Sequence, residues 1–217
     1  PRFYRKWELC QSTNRDKIND FSKACKGADV LLALSKPGPD VIKSECISAM
    51  ADKAIVFVCA NPIPEIYPYA AKQAGAYIVA TGRGDFPNQV NNSLGFPGIL
   101  KGALMVRAKK VTDTMAIAAS YSLANYAEKQ GINPEYIIPT MEEVNVFPEE
   151  AADVAMQAIK EGVARVEISY EDALDKAKTD IEYSRSLTRT LTKEGFIQSP
   201  PDDLIQEAIS QTIREIQ

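Results

Sequence analysis

Three short apolar runs, each closed by turn residues and separated from the next by a helix-length stretch, constrain this chain more than any other feature. They are Ala28–Ser35 (ADVLLALS), Ala54–Ala60 (AIVFVCA) and Tyr77–Thr81 (YIVAT). A continuous apolar run bounded by turn residues reads as a strand buried on both faces. Val41–Met50 and Glu65–Ala74 between them read as helices, the second ended by Gly75. Lys36-Pro37-Gly38-Pro39 can be neither helix nor strand, because each proline fixes φ and lacks a donor. The alternation of strand, loop and helix predicts right-handed crossovers and a parallel sheet with helices on its faces. Two short helices are expected upstream, one around Trp7, Leu9 and Cys10 and ending near Ser12-Thr13-Asn14, the other over Ile18–Cys25 and closed by Gly27.

Beyond the third run the pattern turns helical. Helices are expected over Phe96–Ala108, Val111–Gln130 and Pro148–Lys160, with Gly131 as a left-handed cap and acidic residues ahead of the third. From Val166 the chain is polar, with one weak strand signal at Val166–Ser169. Leu174, Ala177, Ile181, Ser184 and Leu191 make an interrupted helical stripe. Leu204, Ile205, Ala208, Ile209, Ile213 and Ile216 make a clean one, started by Ser199-Pro200-Pro201-Asp202-Asp203. The fold class that follows is α/β: part of a Rossmann-type doubly wound parallel sheet over 1–165, with a helical C-terminal extension over 166–217.

Composition narrows the function. The 217 residues can bury a sizeable core, and 45% hydrophobic with 25% charged residues suits a soluble globular protein. The net charge of −4 is spread along the chain, with no clustered basic face for nucleic acid. No apolar stretch is long enough to cross a bilayer, and Pro1–Trp7 lacks the apolar core of a signal peptide. Cys10, Cys25, Cys46 and Cys59 have no metal-ligand spacing and read as reduced thiols of a cytoplasmic protein. There is no histidine, which removes Ser-His-Asp and Cys-His catalysis and the commonest zinc ligand. Pro1 stands where an initiator methionine is expected, so the chain reads as a fragment that enters mid-fold.

Two asparagine-bearing segments follow the second and third runs: Asn61-Pro62-Ile63-Pro64-Glu65, and Gly82 to Gly98 with Asn88, Asn91 and Asn92. Ligands bind at the carboxyl edge of an open α/β sheet, and neutral amides there can donate to a carboxylate and accept from a hydroxyl. Asn61 is either such a contact or a turn starter bonding its own backbone. Asn91 and Asn92 precede a helix, where they are either carboxylate contacts or caps. Ser35 and Lys36 leave the first strand and either meet the adenosine half of a dinucleotide or form a solvated loop. Arg83 and Asp85 can pair and fix their loop. Asn88 and Gln89 read as loop-shaping, and Glu65 as the cap of the helix after it.

The segments ANPIPEI and AGAYIVATGRGDFPNQVNNSLGFPGILKGAL, continued by Ile137-Ile138-Pro139 and Val154–Ile159, resemble the malic enzymes in content and order. The resemblance implies oxidative decarboxylation of malate to pyruvate and CO2, with reduction of NAD or NADP and a need for Mg2+ or Mn2+. It implies that Asn61 touches substrate and nicotinamide, and that Asn91 or Asn92 contacts malate and the nicotinamide ribose. That family's tyrosine and lysine acid–base pair and its metal carboxylates lie N-terminal to the matched segment. None is carried over, so no catalytic residue and no metal ligand is expected in this chain, and the 217 residues alone are expected to be inactive. No Gly-x-Gly-x-x-Gly follows a strand, since Gly82-Arg83-Gly84 leads into Asp85 and Phe86. The rival readings are another Rossmann-type oxidoreductase, such as an amino-acid dehydrogenase, and a non-catalytic half-domain interaction module. A homodimer is expected, with the Leu204–Ile216 stripe as a sticky surface.

Overall fold

Each apolar run supplies one four-residue strand of a parallel sheet: β1 (Val30–Ala33), β2 (Ile55–Val58) and β3 (Ile78–Thr81), in the order β1-β2-β3. Val30 lies opposite Ile55, and Ile55 opposite Ile78. The computed structural model describes residues 3–198 and 201–216, so Ser199 and Pro200 of the expected helix start lie outside the described residues, as do the side chains of Asp202 and Ile216. Alternation along the pleat sends Leu31, Ala33, Val56, Val58 and Val79 to one face. There they pack with Cys25, Ile42, Cys46, Ile47, Ile66 and Ala71 from α2 (Phe21–Cys25), α3 (Ser44–Ser48), α4 (Pro68–Gln73) and their loops.

The opposite face of β1 departs from the expectation of burial on both sides. Val30 and Leu32 are 55% and 60% exposed, and Leu34 beyond them is 73% exposed. β1 is an edge strand, and nothing among the described residues covers this face. β3 meets the expectation, with Val79, Ala80 and Thr81 all buried.

Local chemistry sets the helix limits. α1 (Tyr4–Ser12) buries no residue. α2 begins at Phe21 rather than Ile18 because the Asp20 carboxylate accepts from the Ser22 and Lys23 backbone N–H groups. α4 waits until Pro68, a proline fitted to the first turn, so Glu65 remains in the loop. That corrects its reading as a helix cap.

A second layer holds α5 (Asn92–Met105), α6 (Asp113–Gln130), α7 (Val146–Lys160) and α8 (Tyr170–Lys193), with α9 (Asp202–Ile216) beyond. α7 lies at its centre and packs on α5, α6 and α8. Its small residues Ala151, Ala152, Val154, Ala155 and Ala158 are fully buried. Across from them Gly102 of α5 comes so near that a Cβ would sit 2.5 Å from the Ala151 carbonyl oxygen. Only glycine permits that approach. α5 starts ahead of the expected Phe96, at Asn92, and carries Pro97 inside it at the loss of one intrahelical bond.

Val166–Ser169 forms no strand. It leads into α8, where Ser169 Oγ accepts from the Asp172 N–H at 3.0 Å. α8 is continuous: Ala173 and Ala177 are buried, Ala173 in the apolar cluster with α7, and Lys101 of α5 pairs with Asp180. Past Ile181 its residues are largely exposed, as are Leu204, Ile205, Ile209 and Ile213 of α9.

Glu150 of α7 is fully buried against Gly95 and Gly98 of α5, and neither carboxyl oxygen has a hydrogen-bond partner of good geometry among the described residues. Burial pushes its carboxyl up to about 8; the Gly98 backbone N–H opposes the rise and Asp153 adds to it. A folded value above the unfolded one means that the native state holds this proton more tightly. Stability is then greatest below the ordinary glutamate range, falls as pH rises to about 8, and levels off above. Glu150→Gln should match the parent in thermal unfolding near the acid end and be more stable by a few kcal/mol above pH 8. An unchanged gap across that range would show that the buried carboxyl is not held neutral.

Candidate functional site

The carboxyl ends of β1, β2 and β3 open into three loops that are tied to one another by side chains. Glu65, 0% exposed, stands between the first two. Its Oε1 accepts from the Ser35 backbone N–H at 2.8 Å and from Ser35 Oγ at 3.0 Å, and its Oε2 accepts from the Ala60 N–H at 3.0 Å. Its own carbonyl accepts from the Ile42 N–H at 3.0 Å. Between Ala60 and Glu65 lie Asn61, the cis Asn61-Pro62 bond, Ile63 and Pro64. Cys59, just before this turn, is half-buried, and burial pushes its thiol up with the Glu65 charge adding to the effect. It is therefore a poor nucleophile near neutral pH.

The third loop is bent back onto its own strand. Thr81 N–H donates to the Asn88 carbonyl at 3.3 Å, and Val90 N–H donates to the Thr81 carbonyl at 2.9 Å. Asn88 sits in the left-handed region at φ 54°, where asparagine is better tolerated than most residues. Buried to 4% exposure, it donates to the carbonyls of Val79 and Pro134 and accepts from the Ile137 N–H at 2.9 Å. Its expected loop-shaping part is thus realised, and it also fastens 134–137 to the sheet. The Arg83 guanidinium grips Asp85 through two bonds of 2.8 and 2.6 Å and holds that carboxylate below its usual range. Arg83 Nη1 also reaches the Pro62 carbonyl at 3.4 Å, which joins the third loop to the Asn61 turn.

The predicted site residues divide by how their side chains are used. Asn91 is the N-cap of α5: Oδ1 accepts from the Ser93 N–H and Oγ, each at 2.9 Å, and Nδ2 donates to the Gly82 carbonyl at 2.5 Å. Asn92, the first residue of α5, is exposed and its amide makes no hydrogen bond among the described residues. Asn61 is likewise exposed with an unengaged amide. Ser35 is exposed on its loop, but its hydroxyl and N–H are both committed to Glu65. A cavity of about 370 Å3 adjoins the start of α5, lined by Asn91, Asn92, Phe96, Ile99, Leu123 and Ile138.

Sequence reasoning missed Glu65. The available signal was its spacing from Ala60 behind two prolines, which turns a side chain back toward the strand end. No group of three or more His, Cys, Asp or Glu among the described residues could hold a metal ion. The donor set does fit a nicotinamide and a hydroxy acid, because free amides at a carboxyl edge can both donate and accept without adding charge.

A parallel sheet with loops at its carboxyl edge and a helix starting there is the arrangement of the dinucleotide-binding class of α/β domains. The family model of the malic enzyme NAD-binding domain matches residues 9–163, and the chain belongs to that family. It is 40% identical over 172 residues to a bifunctional malic/malolactic enzyme of Bacillus subtilis (strain 168), covering 79% of this chain and 42% of that protein. It is 41% identical over 166 residues to an NAD-dependent malic enzyme of Geobacillus stearothermophilus, covering 76% and 33%. A crystal structure of the Entamoeba histolytica malic enzyme superposes with a TM-score of 0.95 at 59% identity, covering 99% of this chain and 44% of that one. The chain therefore spans less than half the length of these relatives.

Asn91→Ala should cost about 1–2 kcal/mol, because α5 loses its cap and the Gly82 carbonyl its donor. Asn91→Asp keeps the cap acceptor and should recover part of that loss in denaturant unfolding. If Asn91→Ala were as stable as the parent, the cap would not be what starts α5.

Proposed function

We propose that the protein containing this chain oxidises malate and decarboxylates it to pyruvate and CO2 while reducing NAD or NADP, and that this chain supplies the orienting contacts. The observation that carries the reading is the pair of unengaged amides, Asn61 and Asn92, on carboxyl-edge loops that are locked to each other. The nicotinamide would supply the hydride acceptor, and Mg2+ or Mn2+ the electron sink for loss of CO2. The metal ligands and the acid–base pair would come from outside this chain, and the 217 residues alone are expected to be inactive.

Within that reading Asn61 and Asn92 hold malate against the nicotinamide face. Each can donate its N–H to a carboxylate or carboxamide oxygen and accept from a hydroxyl. Substrate held at one angle and distance needs no further ordering as the hydride moves, which is where positioned contacts lower a barrier. Asn91 acts at one remove, because its amide is spent on Ser93 and Gly82. The loop at Ser35 and Lys36 lies along the adenosine half. Residues 1–165 form the cofactor-binding part and 166–217 the extension. The exposed stripe of Leu204, Ile205, Ile209 and Ile213 supports a homodimer, and four free cysteines suit a cytoplasmic location.

The complete protein, assayed with malate, NAD or NADP and either metal, should reduce the cofactor. No reduction by a folded, complete protein would remove the reading. Asn61→Ala should lower turnover by the equivalent of about 2–4 kcal/mol of transition-state stabilisation. Asn61→Asp should be at least as harmful, since it brings negative charge to a dianionic substrate, and near-parental turnover would show that Asn61 does not face malate. Asn92→Ala should lower turnover without changing the melting temperature, whereas Asn91→Ala should lower the melting temperature as well.

A further inference from the structure

The N–H groups of Ser35 and Ala60 leave the ends of β1 and β2, where neither donates to a backbone carbonyl among the described residues. Both donate to the carboxyl group of Glu65 instead, and Ser35 Oγ adds a third bond. All three lie between 2.8 and 3.0 Å on a residue with no exposed surface. One carboxyl group therefore closes the turn that carries Asn61, by returning to Ala60, and fixes that turn to the loop after β1. Pro62 and Pro64 remove most of the freedom that the turn would otherwise keep. The next loop adds its own bond, from Arg83 to the Pro62 carbonyl.

We propose that Glu65 is a positioning residue for the reaction: it sets the angle of Asn61 toward the substrate and, through Ser35, the spacing between the substrate end and the adenosine end of the cofactor groove. The inference rests on the reading given under Proposed function. Glutamine at this position keeps the shape but presents an NH2 group to one of the N–H donors, so that one bond becomes a donor facing a donor. A buried donor left without its acceptor then swings the turn or takes up water.

The test is a double-mutant cycle in the complete protein, with melting temperature, kcat and KM for malate, and the dissociation constants of NAD+ and NADP+ measured without malate. Glu65→Gln should lower kcat tenfold or more in the parent and less than twofold in the Asn61→Ala background, because the orientation it controls is already lost. The dissociation constant of the preferred cofactor should rise threefold or more. A residue that merely stabilised the fold would lower kcat equally in both backgrounds. Ser35→Ala removes one of the three bonds and leaves Glu65 in place, so it should give the same non-additive pattern on a smaller scale and serves if Glu65→Gln does not fold. Equal losses in the two backgrounds, or no loss in the parent, would overturn the proposal. Failure of the parent protein to turn over malate would instead overturn the functional reading, and the cofactor dissociation constants would still report on Glu65: an unchanged constant in Glu65→Gln overturns the inference on its own.

Discussion

The carboxyl group of Glu65, buried between the ends of β1 and β2, is the contact on which the arrangement of the carboxyl edge depends. A parallel sheet ends with backbone donors that the ladder no longer satisfies, and buried donors without partners are costly. Here a side chain from the following loop supplies the acceptors, so satisfying the strand ends and shaping the Asn61 turn become one event. The Arg83 bonds to Asp85 and Pro62 extend the same logic to the third loop. A groove lined this way is held by hydrogen bonds within its own loops, and the exposed amides of Asn61 and Asn92 make no hydrogen bond among the described residues.

The placement of Asn92 depends on a different kind of contact. α5 starts where the loop after β3 is folded back by Asn88 and Val90, and its direction is set by packing on α7. Small residues make that crossing close, with Gly102 against Ala151 and Val154. The buried carboxyl of Glu150, its pKa pushed up by desolvation, occupies the same interface beside Gly98. The helical layer is therefore not a passive cover over the sheet. It aims the first turn of α5 at the carboxyl edge.

The chain also shows where it expects company. Val30, Leu32 and Leu34 leave one face of β1 bare, and α9 presents an apolar stripe. Burial of such surface is worth about 25 cal/mol per Å2, so both faces are favourable places for further protein. The chain covers less than half the length of the relatives it matches.

Local rules were enough to read the strand–helix alternation, the parallel sheet, and the position of both asparagine segments at its carboxyl edge. Periodicity and turn chemistry depend on neighbours in the chain, and those are visible in the residues themselves. The Gly131 cap and the Arg83–Asp85 pair were legible for the same reason. Tertiary structure alone decided that Glu65 is a clamp rather than a helix cap, that the Glu150 carboxyl is buried against Gly98, and that Asn91 is spent on capping while the Asn92 amide makes no hydrogen bond among the described residues. Each of these turns on a partner outside the residue's own stretch of chain or on a few degrees of backbone: Glu65 meets Ser35, Glu150 meets Gly98, and Asn91 reaches back to Gly82. Sequence specifies that a polar group must be satisfied; only the packed chain determines which group satisfies it.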